Sequence, residues 1–237
     1  MILYVVKSDF YRPFNVKWAE VVWSRKTFRD YLSIGLPGSV QYCAEASAFT
    51  GAAVIMGWIG TEALAAHQIA INLASMTFMF ALGTSVAAAV RVGEFFGARK
   101  MDRARDAGFT AIFVAAVFMG ACGIVFFFCR EILPAFYIAD KAVISITAQL
   151  LIVAAFFQFF DGAQGVAMGA LRGVMDTKWP MIVTVVAYWV VSLPVGYFMG
   201  IKFQYGAIGV WVGLLVGLVC SSLALSIRFH LLTKLRI

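Results

Sequence analysis

Long apolar runs separated by short polar breaks dominate the chain after its first 35 residues. Each run is about 20 or more residues long, which is the length that an α-helix needs to cross a hydrocarbon layer roughly 30 Å thick. Because backbone groups in lipid must be paired within their own segment, these runs predict helices rather than open strands. The predicted spans are Leu36 to Ile59, Ala63 to Val90, Ala107 to Cys129, Ala142 to Leu171, Trp179 to Ile201 and Ala207 to Leu225. The pattern therefore predicts an all-α integral membrane protein with a six transmembrane helix bundle over residues 36–237.

Residues 1–35 follow a different pattern, in which polar and aromatic positions alternate. Phe14, Trp18 and Val21 recur at helical spacing, opposite Lys17 and Arg25. This pattern favours a helix lying in the membrane interface, and a solvated leader is the alternative. We therefore interpret residues 1–35 as a cytoplasmic or interfacial linker segment.

Composition supports the membrane assignment, and the placement of charge orients the chain. Of the 237 residues, 62% are hydrophobic and 13% are charged, whereas soluble domains are about half apolar and a quarter charged. Of the 19 Lys and Arg, only Arg130, Lys141 and Lys202 fall on one side of the predicted spans. This asymmetry predicts a multi-pass protein of the inner (plasma) membrane with both termini cytoplasmic. It also explains the net charge of +7 without a nucleic acid partner.

Two acidic residues lie where apolar residues are expected. Glu45 and Asp161 are near the middle of the first and fourth spans, whereas the other ten of the 12 acids lie in loops or at span ends. A charge at the bilayer centre costs about 2.5 to 3.5 kcal/mol on insertion scales, so such residues usually face a cavity and serve ion or proton pathways. We predict that Glu45 and Asp161 are cation-coupling residues for Na⁺ or H⁺, and metal ligands only if the ion is Na⁺.

Amides near the two acids are candidates for lining the same cavity. One turn of helix separates Gln41 from Glu45, and Asp161 has a glutamine three residues away on each side. The alternative is that the amides only join helices, each contributing about 0.6 kcal/mol. The candidates are Gln41, Gln68, Asn72, Gln158 and Gln164.

Two glycine ladders predict close helix contacts. The fourth span has glycine at positions 165, 169 and 173, and the sixth has glycine at positions 209, 213 and 217. Small residues at four-residue spacing let two helix backbones approach each other in lipid. The ladders predict packed helices and carry no information about a ligand.

The sequence has no constellation typical of an enzyme. It has no Walker-type glycine loop, no zinc-binding HExxH and no plausible Ser, His and Asp triad. We predict a protein that is not an enzyme and has no cofactor other than Na⁺ or H⁺ as a coupling ion.

Several segments together resemble one known transporter family. GLPGSVQYCAEASAF, AAHQIAINLASMTFMFALGTSVAAAVRVGEFFGAR and FFDGAQGVAMGALRGVMDTKWPM resemble, in order, the seventh, eighth and tenth helices of NorM-like exporters of the multidrug and toxic compound extrusion (MATE) family. AYWVVSLPVGYFMG and GVWVGLLVGL resemble helices eleven and twelve, and MILYVVKSDFYRPF resembles the end of helix six with its linker. The resemblance implies that the six spans are equivalent to one lobe of a MATE transporter, its C-terminal half.

The resemblance also implies a function. NorM-like members export cationic amphipathic drugs in exchange for Na⁺ or H⁺ by alternating access. Their C-terminal cation site uses acids whose positions here are Glu45 and Asp161. An aromatic hydroxyl often lies one turn before the second acid, but this chain has Phe157 at that position, which becomes a further cavity-lining candidate.

We expect the chain to need partners and keep two other interpretations open. Besides membrane lipid and small cationic substrates, it would work with a separate N-terminal lobe or with a second copy. One alternative is a non-transporting fragment of such a transporter. The other is a lipid-linked sugar flippase of the same superfamily, which ranks lower because flippases favour basic cavity residues for pyrophosphate and the middle of these spans has none.

Overall fold

The computed structural model describes residues 24–234, except for the side chains of Asp30 and Ile34. The helices are α1 (Arg25–Ile59), α2 (Thr61–Gly97), α3 (Met101–Phe128), a short α4 (Ile132–Ala135), α5 (Lys141–Gly173), α6 (Lys178–Lys202) and α7 (Gly206–Lys234). The chain divides into two units, Met1–Leu36 and Pro37–Ile237. Most of the predicted interfacial linker lies outside the described residues.

Each predicted span lies within or almost exactly along one of the six long helices, but most helices extend further. The first helix begins at Arg25 rather than Leu36, and the second and last continue by several residues past their predicted ends. Charged residues at these ends end an apolar run without ending the helix, because helix formation requires only paired backbone groups. The predicted all-α fold is confirmed for the described part of the chain.

Within that part, five helices are long and apolar enough to cross a membrane, namely α2, α3, α5, α6 and α7. Helix α1 has 35 residues and is long enough, yet it does not reach the same hydropathy. It carries Gln41, Glu45 and Thr50 along its length, and these polar residues lower the average. The long helix with the lowest hydropathy in this part of the chain is therefore the one that contributes Glu45 to the predicted site.

Helix α5 is central to the larger unit. It packs against α2, α3 and α7, and every residue from Asp161 to Leu171 is buried. Two apolar clusters surround it, one reaching Phe157 and the other beginning at Ala163. Asp161 lies between the two clusters, in the middle of the bundle.

The two glycine ladders lie at the closest helix contacts, as predicted. On α5, a Cβ atom added to Gly173 would lie 2.8 Å from the carbonyl oxygen of Ala89 in α2. The Ser85 hydroxyl also donates a hydrogen bond of 2.7 Å to the Gly165 carbonyl. On α7, a Cβ added to Gly209 would lie 2.6 Å from the carbonyl carbon of Met199 in α6. A side chain at these positions would force the backbones apart.

Helix α6 changes its winding around Pro194. The segments Val186–Ser192 and Phe198–Lys202 are π-helical, and Leu193–Tyr197 between them is α-helical. Proline cannot donate the backbone hydrogen bond that the α-helix requires, and its ring clashes with the carbonyl one turn earlier. A π-turn accommodates the missing bond by widening the helix, and such turns are frequent at functional sites. The first π-segment contains Tyr188, whose side chain is fully buried.

Candidate functional site

A cavity of about 370 Å³ lies between α1, α2 and α5, in the larger unit. Both predicted coupling acids line it, Glu45 from α1 and Asp161 from α5. The other lining residues are Tyr42, Ala46, Phe49, Ile71, Ala74, Ser75, Phe78 and Phe157. Two carboxyls that are 116 positions apart in the chain are thus brought to one chamber in the middle of the bundle.

The Glu45 carboxylate is held by two donors from other helices. Gln164 in α5 donates from Nε2 to Oε1 of Glu45 at 3.1 Å, and the Tyr188 hydroxyl donates to the same oxygen at 3.3 Å. Gln164 and Tyr188 are also within hydrogen-bond distance of each other, at 3.2 Å. This network connects α1, α5 and α6. It occupies one carboxylate oxygen of Glu45, and Glu45 still lines the cavity.

Sequence reasoning missed Tyr188. It is one of eight tyrosines in the chain, and nothing in its spacing marks it as the partner of an acid in a different helix. The only available signal was a hydroxyl in the middle of an apolar span. Tyr188 lies on α6, and its hydroxyl reaches Glu45. The family resemblance predicts an aromatic hydroxyl at position 157, where this chain has Phe157, but Tyr188 supplies such a hydroxyl near the acids from a different helix.

Asp161 differs from Glu45 in its surroundings. Its side chain is 7% exposed, and no hydrogen-bond donor contacts its carboxylate among residues 24–234. Within the same range there is no group of three or more His, Cys, Asp and Glu that could hold a metal ion. The side-chain oxygen atoms among the lining residues are those of the two carboxylates and the hydroxyls of Tyr42 and Ser75, and oxygen ligands of this kind are hard ligands.

Aromatic rings form the wall of the cavity beside the acids. The ring of Phe49 lies 6.2 Å from that of Phe157 and 5.9 Å from that of Tyr188, between centroids. Phe157 in turn lies 5.9 Å from Trp211 of α7. Edge-to-face and tilted pairs at these distances are favourable, so Phe157 packs the wall rather than supplying a ligand.

Three of the predicted amides make contacts between helices. Gln164 joins Glu45, whereas Gln41 donates from Nε2 to the Thr184 hydroxyl at 3.2 Å. Gln158 bonds to the Thr77 hydroxyl. None of these three amides lines the cavity, and the contacts of Gln41 and Gln158 fit the alternative in which amides join helices.

Gln68 and Asn72 also lie away from this cavity, in contrast to the prediction. Both are exposed, and Asn72 accepts a hydrogen bond of 2.8 Å from the Tyr137 hydroxyl. The cavity face of α2 is formed by Ile71, Ala74, Ser75 and Phe78. At about 100° per residue, Asn72 is rotated well off this face, and Gln68 lies nearer to the start of the helix.

Arg172 contacts one of the residues that line the cavity. Its Nη2 donates to the Tyr42 hydroxyl at 3.2 Å, and its guanidinium carbon lies 5.2 Å from the centroid of the same ring. Tyr42 lines the cavity and Arg172 does not, so this guanidinium is held beside the lining and not inside it.

Comparison with known proteins decides the family. Residues 37–198 match the family model described as MatE. The chain belongs to the MatE family. MATE relatives include the multidrug resistance protein NorM of Burkholderia vietnamiensis, which is 39% identical over 210 residues covering 86% of this chain and 46% of the relative. The multidrug resistance protein PmpM of Pseudomonas aeruginosa is 39% identical over 238 residues covering 96% and 49%.

Solved MATE structures share the fold. A multidrug resistance MATE transporter in an outward-facing conformation superposes with a TM-score of 0.90 at 18% identity, covering 99% of this chain and 53% of that one. A eukaryotic MATE transporter gives a TM-score of 0.84 at 18% identity, with 99% and 55% covered. The chain spans about half the length of the relatives it matches, which fits the predicted equivalence to one lobe. Because MATE members are transporters, the family also confirms that the chain is not an enzyme.

The Tyr188 contact can be tested without a transport assay. In a double-mutant cycle of Tyr188→Phe and Glu45→Ala, we expect a coupling free energy of roughly 0.6 to 1.7 kcal/mol, between the average and the maximum measured for hydrogen bonds between membrane helices. The measurement is denaturant unfolding in mixed micelles. Tyr197→Phe is the matched control, because that hydroxyl on the same helix has no hydrogen bond to a described residue, and its cycle with Glu45→Ala should give no coupling. Equal values in the two cycles would contradict the contact.

Proposed function

We propose that this chain is the cation-coupling half of an exporter of cationic amphipathic compounds, driven by Na⁺ or H⁺. One observation carries the proposal: Glu45 and Asp161, from different helices, line the same cavity. Carboxyls in a membrane interior are costly and usually serve ion pathways. The names of the NorM and PmpM relatives, multidrug resistance proteins, support the substrate class.

The chemistry of the cavity suits exchange of one cation for another. Two carboxylates attract a single cation or bind a proton, and each binding event changes the charge that faces the chamber. Gln164 and Tyr188 hold Glu45 in place, so the ion meets a preorganised oxygen. The ring faces of Phe49 and neighbouring aromatics can attract a flat organic cation.

A lipid-linked sugar flippase receives less support from the same cavity. Its lining contains two acids and neither Lys nor Arg. A pyrophosphate group would be repelled by the carboxylates and would find no guanidinium or ammonium among the lining residues. Charge therefore favours a cationic substrate.

We also propose the topology and the partner. The basic loop between α2 and α3 would face the cytoplasm together with both termini, in the inner (plasma) membrane. Substrate would bind between this lobe and a second one, supplied by an N-terminal lobe as in proteins of twice this length. A second copy of the chain is the other candidate partner.

The test is reconstitution of export. The chain is expressed in cells lacking their own multidrug exporters, alone and together with the N-terminal half of the Rhodopseudomonas palustris relative, which is 44% identical to this chain over 210 residues. In everted vesicles, we expect ethidium transport only when both halves are present and a gradient is imposed. Separate arms with a Na⁺ gradient and a proton gradient identify the ion. Transport by the chain alone would favour the second copy, and no transport in any arm would contradict the proposal.

A further inference from the structure

A second cavity, of about 540 Å³, lies between α2 and α3 and shares no lining residue with the first. We refer to it as the α2–α3 groove. Its floor is built largely of alanines, including Ala87, Ala107 and Ala111. Because methyl groups leave space that larger side chains would fill, a trench lies between the two helices over part of their length.

The groove is long enough for a lipid headgroup and part of an acyl chain. Its lining on α2 runs from Thr84 to Phe95, which is roughly 16 Å at 1.5 Å per residue. Exposed apolar side chains flank it, among them Val90 and Phe113, at 67% and 68% exposure. Such residues on a membrane-spanning helix face hydrocarbon, so the trench is open to lipid in the described unit.

Charged residues lie at only one end of the groove, where α2 ends and α3 begins. They are Arg91, Arg103 and Asp106. Arg91 is fixed by Glu94, with an Nη1 to Oε2 distance of 2.8 Å, and by the Phe95 ring, whose centroid lies 4.8 Å from its guanidinium carbon. A guanidinium has five N–H donors, so this pairing leaves several of them available.

Arg103 and Asp106 are one turn apart on α3, and both are exposed. Neither forms an ion pair or a hydrogen bond with any residue between 24 and 234. The end of the groove thus presents two guanidinium groups and one carboxylate beside an apolar trench. A ligand that matches it has a negative group, a positive hydrogen-bonding group and a long apolar tail.

We propose that the α2–α3 groove binds a phospholipid with an ethanolamine headgroup. The phosphate contacts Arg91 and Arg103, as guanidinium groups recognise phosphate oxygens well. The primary ammonium contacts Asp106, and an acyl chain fills the alanine trench. Basic pockets between membrane helices are common sites for lipid headgroups, and here the carboxylate adds the selection for a positive headgroup. The proposal goes beyond transport and does not depend on it.

Two other lipids define the specificity. Phosphatidylcholine has the same charges, but its quaternary ammonium has no N–H to donate to Asp106. Phosphatidylglycerol has the phosphate without a positive group, so the carboxylate repels it. When the acyl chains are the same, the groove should therefore bind phosphatidylethanolamine more tightly than phosphatidylcholine or phosphatidylglycerol.

The experiment is native mass spectrometry of the full chain, purified in detergent and titrated with each of the three lipids. We expect the dissociation constant for phosphatidylethanolamine to be about fivefold lower than for phosphatidylcholine, the size expected of one net hydrogen bond. Asp106→Asn should remove this preference, and Arg103→Gln should weaken binding of all three lipids. Asp102→Asn and Arg99→Gln are matched controls. Both residues are exposed at the same end of the helices but do not line the groove. Neither substitution should change the dissociation constant of any of the three lipids.

A third variant tests the trench separately from the charges. Ala111→Leu places a larger apolar side chain on the floor and should weaken binding of every lipid while keeping the preference for ethanolamine. Equal affinity of the unmodified chain for all three lipids would overturn the proposal. So would a preference for phosphatidylglycerol, or an ethanolamine preference that survives Asp106→Asn.

Discussion

Asp161→Asn and Glu45→Gln should each reduce coupled export to the background rate in the two-half reconstitution. Each replacement keeps the shape of the side chain and removes its ability to bind a proton or to neutralise a cation. Since the two carboxylates line one cavity, losing either one should break the coupling. Ethidium transport in everted vesicles is the measurement, with the amount of each variant in the membrane determined by immunoblot.

Two exposed acids provide matched controls for this experiment. Asp102→Asn and Glu62→Gln make the same chemical changes outside the cavity, on residues that are exposed near helix starts. We expect both to transport at the unmodified rate. Because replacing a costly intramembrane charge should leave folding intact or improve it, Asp161→Asn and Glu45→Gln should also elute as folded protein in size-exclusion chromatography. Full export by either cavity variant would exclude the proposed role of that acid.

Gly213→Val should have the largest effect on folding. A Cβ at position 213 would collide with the backbone of Gly196 in α6, and it would lie 2.8 Å from the carbonyl oxygen of Ser192. These neighbours are backbone atoms of a packed helix, which cannot move aside as a flexible side chain can. We expect most of the variant to be lost to aggregation in size-exclusion chromatography, since overpacking of a rigid contact costs about 1 to 3 kcal/mol or more.

Gly83→Val is the matched control for Gly213→Val. Gly83 is also inside a membrane helix, and a Cβ there would have no atom within 4 Å. The Gly83→Val variant should therefore elute and melt like the unmodified chain. If Gly213→Val and Gly83→Val elute alike, α6 and α7 do not approach each other as closely as described.

The helical spans and the central acids could be predicted because each follows from the chemistry of single segments. A run of apolar residues must be helical in lipid, and an acid in such a run requires a compensating environment. The glycine ladders on α5 and α7 were predicted on similar grounds, as small residues at four-residue spacing permit close approach. None of these inferences requires knowing which helices are neighbours.

The partners of the acids could not be predicted, since periodicity defines a face of one helix but not its rotation relative to the others. Gln68 and Asn72 are at helical spacing, yet the cavity uses a different face of α2. Tyr188 reaches Glu45 from 143 positions away, out of a π-helical segment next to Pro194. Each π-turn changes the phase of the residues that follow, so a regular helical wheel assigns their directions wrongly.

The amino-acid sequence by itself determined that this chain is a bundle of membrane helices with two carboxyls in its interior, because the solvation cost of each residue is a local property. Only the tertiary structure decided that Tyr188 and Gln164 hold one of these carboxyls, and that an alanine-lined groove with three charges lies elsewhere. Those features depend on how helices distant in sequence pack and rotate against each other, and packing is a property of all the helices together.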